Sequence, residues 1–208
     1  MHFNGSVLVA GFLLTATGAQ SMPLISEVFY DALGSDSGKV FVELYGSPGA
    51  SLAGHTLEAV NGDNGAVHAV AELSGVFGSS GFFVVADTRS DGTSDVSPAD
   101  LLIEFDPQNG PDSVRLLEGA TVLDAVGFGV FAPGQVFAGE GAPAEDAVGG
   151  ESLSRAFANV DTGDNSVDFV RGAPSPGVGL TTVPEPGSAL LAMMGLLGLA
   201  SFRRSRAA

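Results

Sequence analysis

The chain has 208 residues, of which eight are basic and 24 acidic, and its formal net charge at pH 7 is −16. This charge argues against nucleic-acid binding, which depends on clustered lysine and arginine. Cysteine is absent, which excludes a disulfide framework, a cysteine-ligated metal and a cysteine nucleophile. Thirty glycines and eleven prolines, with little helical periodicity, favour one domain of short strands joined by turns.

The N-terminal residues have the pattern of a secretory signal peptide. Residues 7–14 form an apolar run of suitable length, and the small residues Thr17, Gly18 and Ala19 follow it. We therefore predict a signal peptide over residues 1–19 that is cleaved after Ala19. No lysine or arginine precedes the apolar run, and a first buried strand is the alternative, although no polar alternation supports it.

Residues 22–177 are predicted to form an all-β domain. Runs rich in β-branched and aromatic residues, bounded by turn residues, occupy 24–30, 39–45, 81–87, 101–105, 113–118, 121–126 and 151–157. Two more strands are expected, one starting at His55 and the next containing His68. Together with the runs above they make eight or nine short strands, which favours an antiparallel β-sandwich. Gly119 and Ala120 predict a tight hairpin, and 88–100 and 132–150 predict surface loops.

The same segments resemble a known domain. The blocks PLISEVFYDA, KVFVELYG, SLAGHTLEAV, GFFVVAD, DSVRLLEGATVLDAVGFG and SLSRAFANVDTGDNSVDF resemble, in order, the lamin tail domain of bacterial secreted and surface proteins. The resemblance implies an immunoglobulin-like antiparallel β-sandwich that serves as an interaction or scaffold module without chemistry of its own. Gly46 and His55 depart from the usual residues of that domain, and loop 132–150 is longer, which affects loop contacts more than the fold.

Few residues indicate catalysis, and we predict that the chain is not an enzyme. No G-x-S-x-G motif is present, and neither His55 nor His68 lies in a distinctive setting. Glu27 and Glu43 share a strand face with large apolar residues, as paired glycosidase carboxylates could. With no tryptophan and only two tyrosines to bind a sugar, we expect both to accept structural hydrogen bonds.

The segment DTGDNSVD at residues 161–168 is the candidate metal site. Asp161, Asp164, Asn165 and Asp168 provide four oxygen-bearing side chains, and calcium takes six to eight oxygen ligands. The spacing differs from that of an EF-hand. The alternative is that these side chains cap backbone amides in a turn. Calcium is the one cofactor that the sequence suggests.

The C-terminus combines a helix-breaking motif, an apolar run and a basic cluster. After a linker at 178–183 come Pro184, Glu185 and Pro186, and then a stretch without charge at 188–202. As a helix this stretch would span about 22 Å, which is short of the ~30 Å hydrocarbon core. We expect a short transmembrane helix that is held briefly and then removed.

Arg203 and Arg204 complete a pattern that resembles the PEP-CTERM sorting signal of Gram-negative bacteria, over residues 184–206. The resemblance implies transient insertion in the inner membrane, removal of the tail by an exosortase, and delivery to the cell surface or extracellular matrix. Such proteins accompany exopolysaccharide and biofilm production, so exopolysaccharide and other surface proteins are the expected partners. The alternatives are a permanently membrane-anchored envelope protein and a secreted hydrolase acting on polysaccharide or nucleic acid.

Overall fold

The computed structural model of the protein describes residues 22–181. The predicted signal peptide with its cleavage position at Ala19, and the sorting signal at 184–206, lie outside these residues. No helix between residues 22 and 181 has the length and apolar character needed to cross a membrane.

The described chain forms ten β-strands and one short helix. In chain order they are β1 Leu24–Phe29, β2 Phe41–Tyr45, β3 His55–Asn61, β4 Val67–Glu72, β5 Phe82–Ala86, β6 Leu101–Leu102, β7 Asp112–Glu118, β8 Thr121–Phe128, β9 Ser152–Arg155, α1 Asn165–Asp168 and β10 Phe169–Gly172.

Two sheets make up the domain, as the predicted β-sandwich requires. One has six strands in the order β10-β9-β1-β2-β5-β6, and the other has four in the order β4-β3-β7-β8. All neighbours are antiparallel except β5 and β6, which are parallel. The wholly antiparallel prediction is therefore wrong at β6, because loop 88–100 is long enough to return the chain for a parallel pairing.

The inner faces of both sheets contribute to one apolar core. Its fully buried members include Ile25, Val28, Leu44, Leu57, Val114, Leu116, Val126 and Phe128. Tyr30 stacks on Phe128 with ring centroids 4.0 Å apart, and its hydroxyl accepts a hydrogen bond from the Ala147 N–H at 2.7 Å. This hydrogen bond connects loop 132–150 to the core.

The outer face of the six-stranded sheet is covered as well. Every residue of β2 except Tyr45 is buried, so both faces of this strand are covered. A second apolar cluster explains this, since Phe41 and Val84 pack there with Val96 and Ala99 of loop 88–100. The C-terminal segment 174–181 covers a further part of the same face.

The remaining differences from the sequence prediction are local. The hairpin at Gly119 and Ala120 is confirmed: it joins β7 to β8, with Gly119 at φ +57°. β6 has two residues rather than five, and neither β10 nor α1 was predicted. α1 lies within the acidic segment 161–168 and β10 directly follows it, and the turn-forming composition of this segment gave no strand or helix signal.

The core predicts a matched pair of leucine substitutions. Leu57 is 0 % exposed and Leu33 is 76 % exposed. Leu57→Ala should lower the free energy of unfolding by about 2–5 kcal/mol because it leaves a cavity between the sheets. Leu33→Ala should change it by less than about 0.5 kcal/mol. Urea-induced unfolding measures both, and equal losses would contradict the assignment of the core.

Candidate functional site

The four predicted metal ligands lie in segment 161–168, and the last four residues of this segment form α1. Asp164 is the N-cap residue of the helix, and its side chain accepts a hydrogen bond from the Ser166 N–H at 3.0 Å. The Ser166 hydroxyl also donates to Asp164 and, as the largest cause, lowers the pKa of its carboxyl. This is the capping role that was the alternative to calcium binding.

Asn165 points away from Asp164 and into the domain, where it is completely buried. Its Oδ1 accepts hydrogen bonds from the backbone N–H groups of Gly127 and Glu140, both at 2.9 Å. Its Nδ2 donates to the Ala125 carbonyl at 2.8 Å. Asn165 therefore joins α1 to β8 and to loop 132–150, and its amide groups are used by the protein itself.

Asp168 is buried and takes part in a third set of contacts. Its Oδ2 accepts from the Thr162 N–H at 3.0 Å and from Arg155 Nη1 at 2.9 Å. Its Oδ1 accepts from the Thr162 hydroxyl at 2.8 Å. Both oxygens are thus engaged, and Asp168 does not converge with Asp164 or Asn165 on a common point.

Arg155 is the residue around which this region is built. It is 4 % exposed and lies at the end of β9. Its Nη2 donates to both oxygens of the fully buried Asp124 at 3.0 and 2.8 Å. Nε donates to the Ile25 carbonyl at 3.0 Å, and the guanidinium lies 4.6 Å from the centre of the Phe169 ring.

In the predicted strand 151–157, alternation places Arg155 on the same side as Leu153 and Phe157. Its importance was not predicted, because its carboxylate partner Asp124 is 31 positions away in the sequence. The available signal was an arginine on a strand face that otherwise carries large apolar residues. Such a side chain is either exposed or paired inside the protein.

Asp161 belongs to a different group of carboxylates from the one predicted. One oxygen each from Asp124, Glu140 and Asp161 lie within 4.8 Å of one another. Burial, together with the negative charges of Asp124 and Asp161, raises the pKa of Glu140 to about 7. Within residues 22–181 these three side chains have the spacing of a metal site, although Arg155 Nη1 lies 3.6 Å from Asp161.

The Glu27 and Glu43 carboxylates are directly opposed on β1 and β2, and each is 1 % exposed. Every oxygen of the pair accepts a hydrogen bond from a serine or a backbone N–H. Burial raises the pKa of Glu27, and it raises that of Glu43 to about 7. These contacts are the structural hydrogen bonds that were expected of the pair.

Among residues 22–181, His55 and His68 lie in separate places on the four-stranded sheet. His55 is 7 % exposed at the start of β3. His68 is on β4, and its Nε2 lies 3.4 Å from Asp112 Oδ2. The Asp112 Oδ1 accepts a hydrogen bond from the Gly62 N–H at 2.8 Å, which holds the turn after β3. The prediction that neither histidine is catalytic remains a prediction.

Comparison with models of known protein families gives a match at the C-terminus. The model of the PEP-CTERM protein-sorting motif matches residues 182–206. The chain carries this sorting motif. It indicates an exosortase-processed, secreted surface protein, and it covers the predicted Pro184, Glu185, Pro186, Arg203 and Arg204.

Comparison with curated proteins and with solved structures gives no match. No family model confirms the resemblance of residues 22–177 to the lamin tail domain, although the two-sheet architecture is consistent with it.

The buried ion pair predicts a large cost for removing Arg155. Arg155→Ala leaves Asp124 buried without its partner and should lower the free energy of unfolding by about 3–5 kcal/mol. The control is Arg171→Ala, since Arg171 is 36 % exposed and 3.2 Å from Glu145; it should cost about 1 kcal/mol or less. Chemical denaturation compares the two, and a loss for Arg155→Ala no larger than the control's would refute the assigned role.

Calcium binding by Asp161, Asp164, Asn165 and Asp168 remains a prediction, although these side chains have separate partners in the structure. Within residues 22–181 the group of Asp124, Glu140 and Asp161 has the spacing of a metal site and gives a direct test. An ion held by these three carboxylates would share Asp124 with Arg155, which donates to both Asp124 oxygens, and it would raise Tm as calcium is added. Glu140→Gln should abolish this rise, whereas Glu145→Gln, in the same loop, should retain it. Scanning calorimetry with and without calcium measures the effect. A flat titration of the unmodified protein would exclude the site.

Proposed function

We propose that the protein is a non-catalytic interaction or scaffold module of the lamin tail type. It is exported by its N-terminal signal peptide, processed at its C-terminus by an exosortase, and displayed or released in an exopolysaccharide matrix such as a biofilm. The sorting motif at residues 182–206, which begins ten residues after the last strand, is the observation that carries this proposal.

The polar groups of the sandwich support a non-catalytic role. The buried carboxylates of Glu27, Glu43 and Asp168 each accept hydrogen bonds from the domain itself. A general acid or base needs a group that faces a substrate and is free to exchange a proton with it. These side chains instead join segments of the fold.

The charge of the chain limits the partners. A net charge of −16 gives a soluble surface that repels anionic polymers unless a cation bridges them. The proposed partners are therefore other surface proteins, or exopolysaccharide reached directly or through calcium, which is the only cofactor we propose. Nucleic acid is not a proposed partner.

The mass of the protein from its native host tests the proposal. Intact masses should be measured separately for the membrane fraction and the culture medium. We expect the extracellular product to lack residues 1–19 and everything beyond about Pro186. A membrane-bound product that retains residues 188–208 would identify the tail as a permanent anchor instead. Release of sugars or nucleotides by the purified extracellular product would favour the hydrolase alternative.

A pair of variants makes the test specific to the sorting motif. Changing Pro184 and Pro186 together to alanine should leave the tail attached and the protein in the membrane fraction. Pro133→Ala, at an exposed position of loop 132–150, is the control and should be processed normally. Normal processing of the double variant would contradict the role of the motif.

A further inference from the structure

The C-terminal segment 174–181, here called the strap, lies across the outer face of the six-stranded sheet. It follows β10 and contacts β1 through Ser175 and β2 through Gly177. Farther along, the Leu180 carbonyl accepts a hydrogen bond from the Ala158 N–H at 2.9 Å. The strap therefore crosses several strands before the chain reaches the sorting motif.

The two buried glutamates provide the polar contacts that hold the strap. Glu27 accepts from the Ser175 N–H at 2.9 Å and from the Ser175 hydroxyl at 2.8 Å. Glu43 accepts from the Gly177 N–H at 2.5 Å. On the other side, the hydroxyls of Ser152 and Ser26 donate to Glu27 and Glu43 and orient their carboxylates.

The strap has glycine at two positions where it approaches the sheet and loop 88–100 closely. Gly177 has φ +81°, which favours glycine. A Cβ atom there would lie 2.7 Å from Pro98 Cγ, and one at Gly179 would lie 2.8 Å from the Phe82 ring. The path of the strap over Phe82 and Pro98 thus depends on the absence of these side chains.

Packing beneath the strap is incomplete. A cavity of about 300 Å³ lies between it and the sheet, lined by Ala156, Val170, Val178 and Leu180 among others. Val178 and Leu180 are 68 % and 65 % exposed. Apolar burial therefore contributes little to holding this end of the strap, and the hydrogen bonds to the glutamates matter correspondingly more.

We propose that Glu27 and Glu43 form a latch that holds the strap on the sheet and so keeps the exosortase processing site close to the folded domain. The inference rests on the proposed function, because it concerns how the sorting motif is presented. According to this inference, the latch determines the place on the sandwich from which the sorting motif departs.

The number of residues between the held part of the chain and Pro186 shows what the latch controls. Pro186 lies five residues beyond Thr181, so an extended chain places it within about 17 Å of the end of the held strap. If the strap were released, the free chain would begin after Gly172 and Pro186 would be 14 residues away, a reach of about 48 Å. A held strap therefore confines the processing site to a much smaller volume close to the folded domain.

The charges around the latch make it sensitive to pH. Burial raises the pKa of both carboxyls above the ordinary value, to about 7 for Glu43. The negative charges of Glu27 and Asp100 act in the same direction on Glu43. Arg155 lines the same cavity, and strap residues 174–181 have no ionisable side chain.

The hydrogen bonds from Gly177 and Ser175 lower the pKa values of Glu43 and Glu27, but burial is the larger cause and raises them. The direction of the pH effect follows from the burial that the strap provides. When the held form has the higher pKa, its extra stability is fully present at low pH and is lost as pH rises through about 7. A protonated Glu43 can still accept from the Gly177 N–H with one oxygen and donate to Ser26 with the other. The strap should therefore be held more firmly at pH 6 than at pH 8.5.

Hydrogen exchange on the full-length chain in detergent tests the latch. The probe is the protection of the strap amides, with β7 as the measure of intact folding. Between pH 6 and 8.5 the protection factor of the strap should fall, by up to about tenfold for this one carboxyl, because burial beneath the strap disfavours the charged form of Glu43, whose pKa is about 7 when the strap is held. β7 should remain protected throughout.

Two conservative variants keep the test independent of a folding defect. Glu43→Gln retains both hydrogen bonds without the charge, and strap protection should lose most of its pH dependence. Ser175→Ala removes one donor to Glu27 and should lower strap protection at both pH values. Glu72→Gln, at an exposed position of β4, is the control and should behave like the unmodified protein. Strap protection that is independent of pH and unchanged in both variants would overturn the latch.

Processing in the native host separates this inference from the proposed function. Ser175→Ala should change the rate at which the cleaved product appears, relative to Ser79→Ala, a control at an exposed position. If both variants are cleaved at the same rate, the latch does not control processing. If the unmodified chain is never cleaved, the proposed function is wrong, while the exchange experiment still decides whether the latch exists.

Discussion

The ion pair between Arg155 and Asp124 is the interaction on which the arrangement of β1, β8, β9 and α1 depends. Arg155 belongs to β9 of the six-stranded sheet and Asp124 to β8 of the four-stranded sheet, so their paired hydrogen bonds join the two layers. The same guanidinium binds the Ile25 carbonyl and Asp168, which adds β1 and α1 to the set. A buried charge is stable only when it is paired, and this requirement fixes the relative position of all four elements.

A second constraint acts on the outer face of the six-stranded sheet. Loop 88–100 covers one part of this face with Val96 and Ala99, and strap 174–181 covers another. Burying Glu27 and Glu43 beneath apolar residues without hydrogen-bond partners would cost free energy. Their oxygens are instead matched to serine hydroxyls and to strap N–H groups. The C-terminus of the domain, from which the sorting motif departs, is therefore part of the fold.

The acidic segment 161–168 shows how much of a site can be read from composition. Its turn chemistry was predictable, because aspartate and asparagine readily accept hydrogen bonds from nearby backbone N–H groups, and Asp164 does so at the start of α1. The directions of the other side chains were not predictable. Asn165 binds β8 and Asp168 binds Arg155, and these partners are brought near by sheet pairing rather than by sequence spacing.

The sequence by itself determined the all-β class, most strands, the hairpin at Gly119 and the C-terminal sorting motif. These depend on local properties, namely side-chain alternation, turn residues and a contiguous pattern of proline, apolar and basic residues. Only the tertiary structure decided that β6 pairs in parallel, that Arg155 meets Asp124, and that Glu27 and Glu43 hold residues 174–181. Each joins positions distant along the chain, and such contacts depend on how the two sheets and their loops pack together.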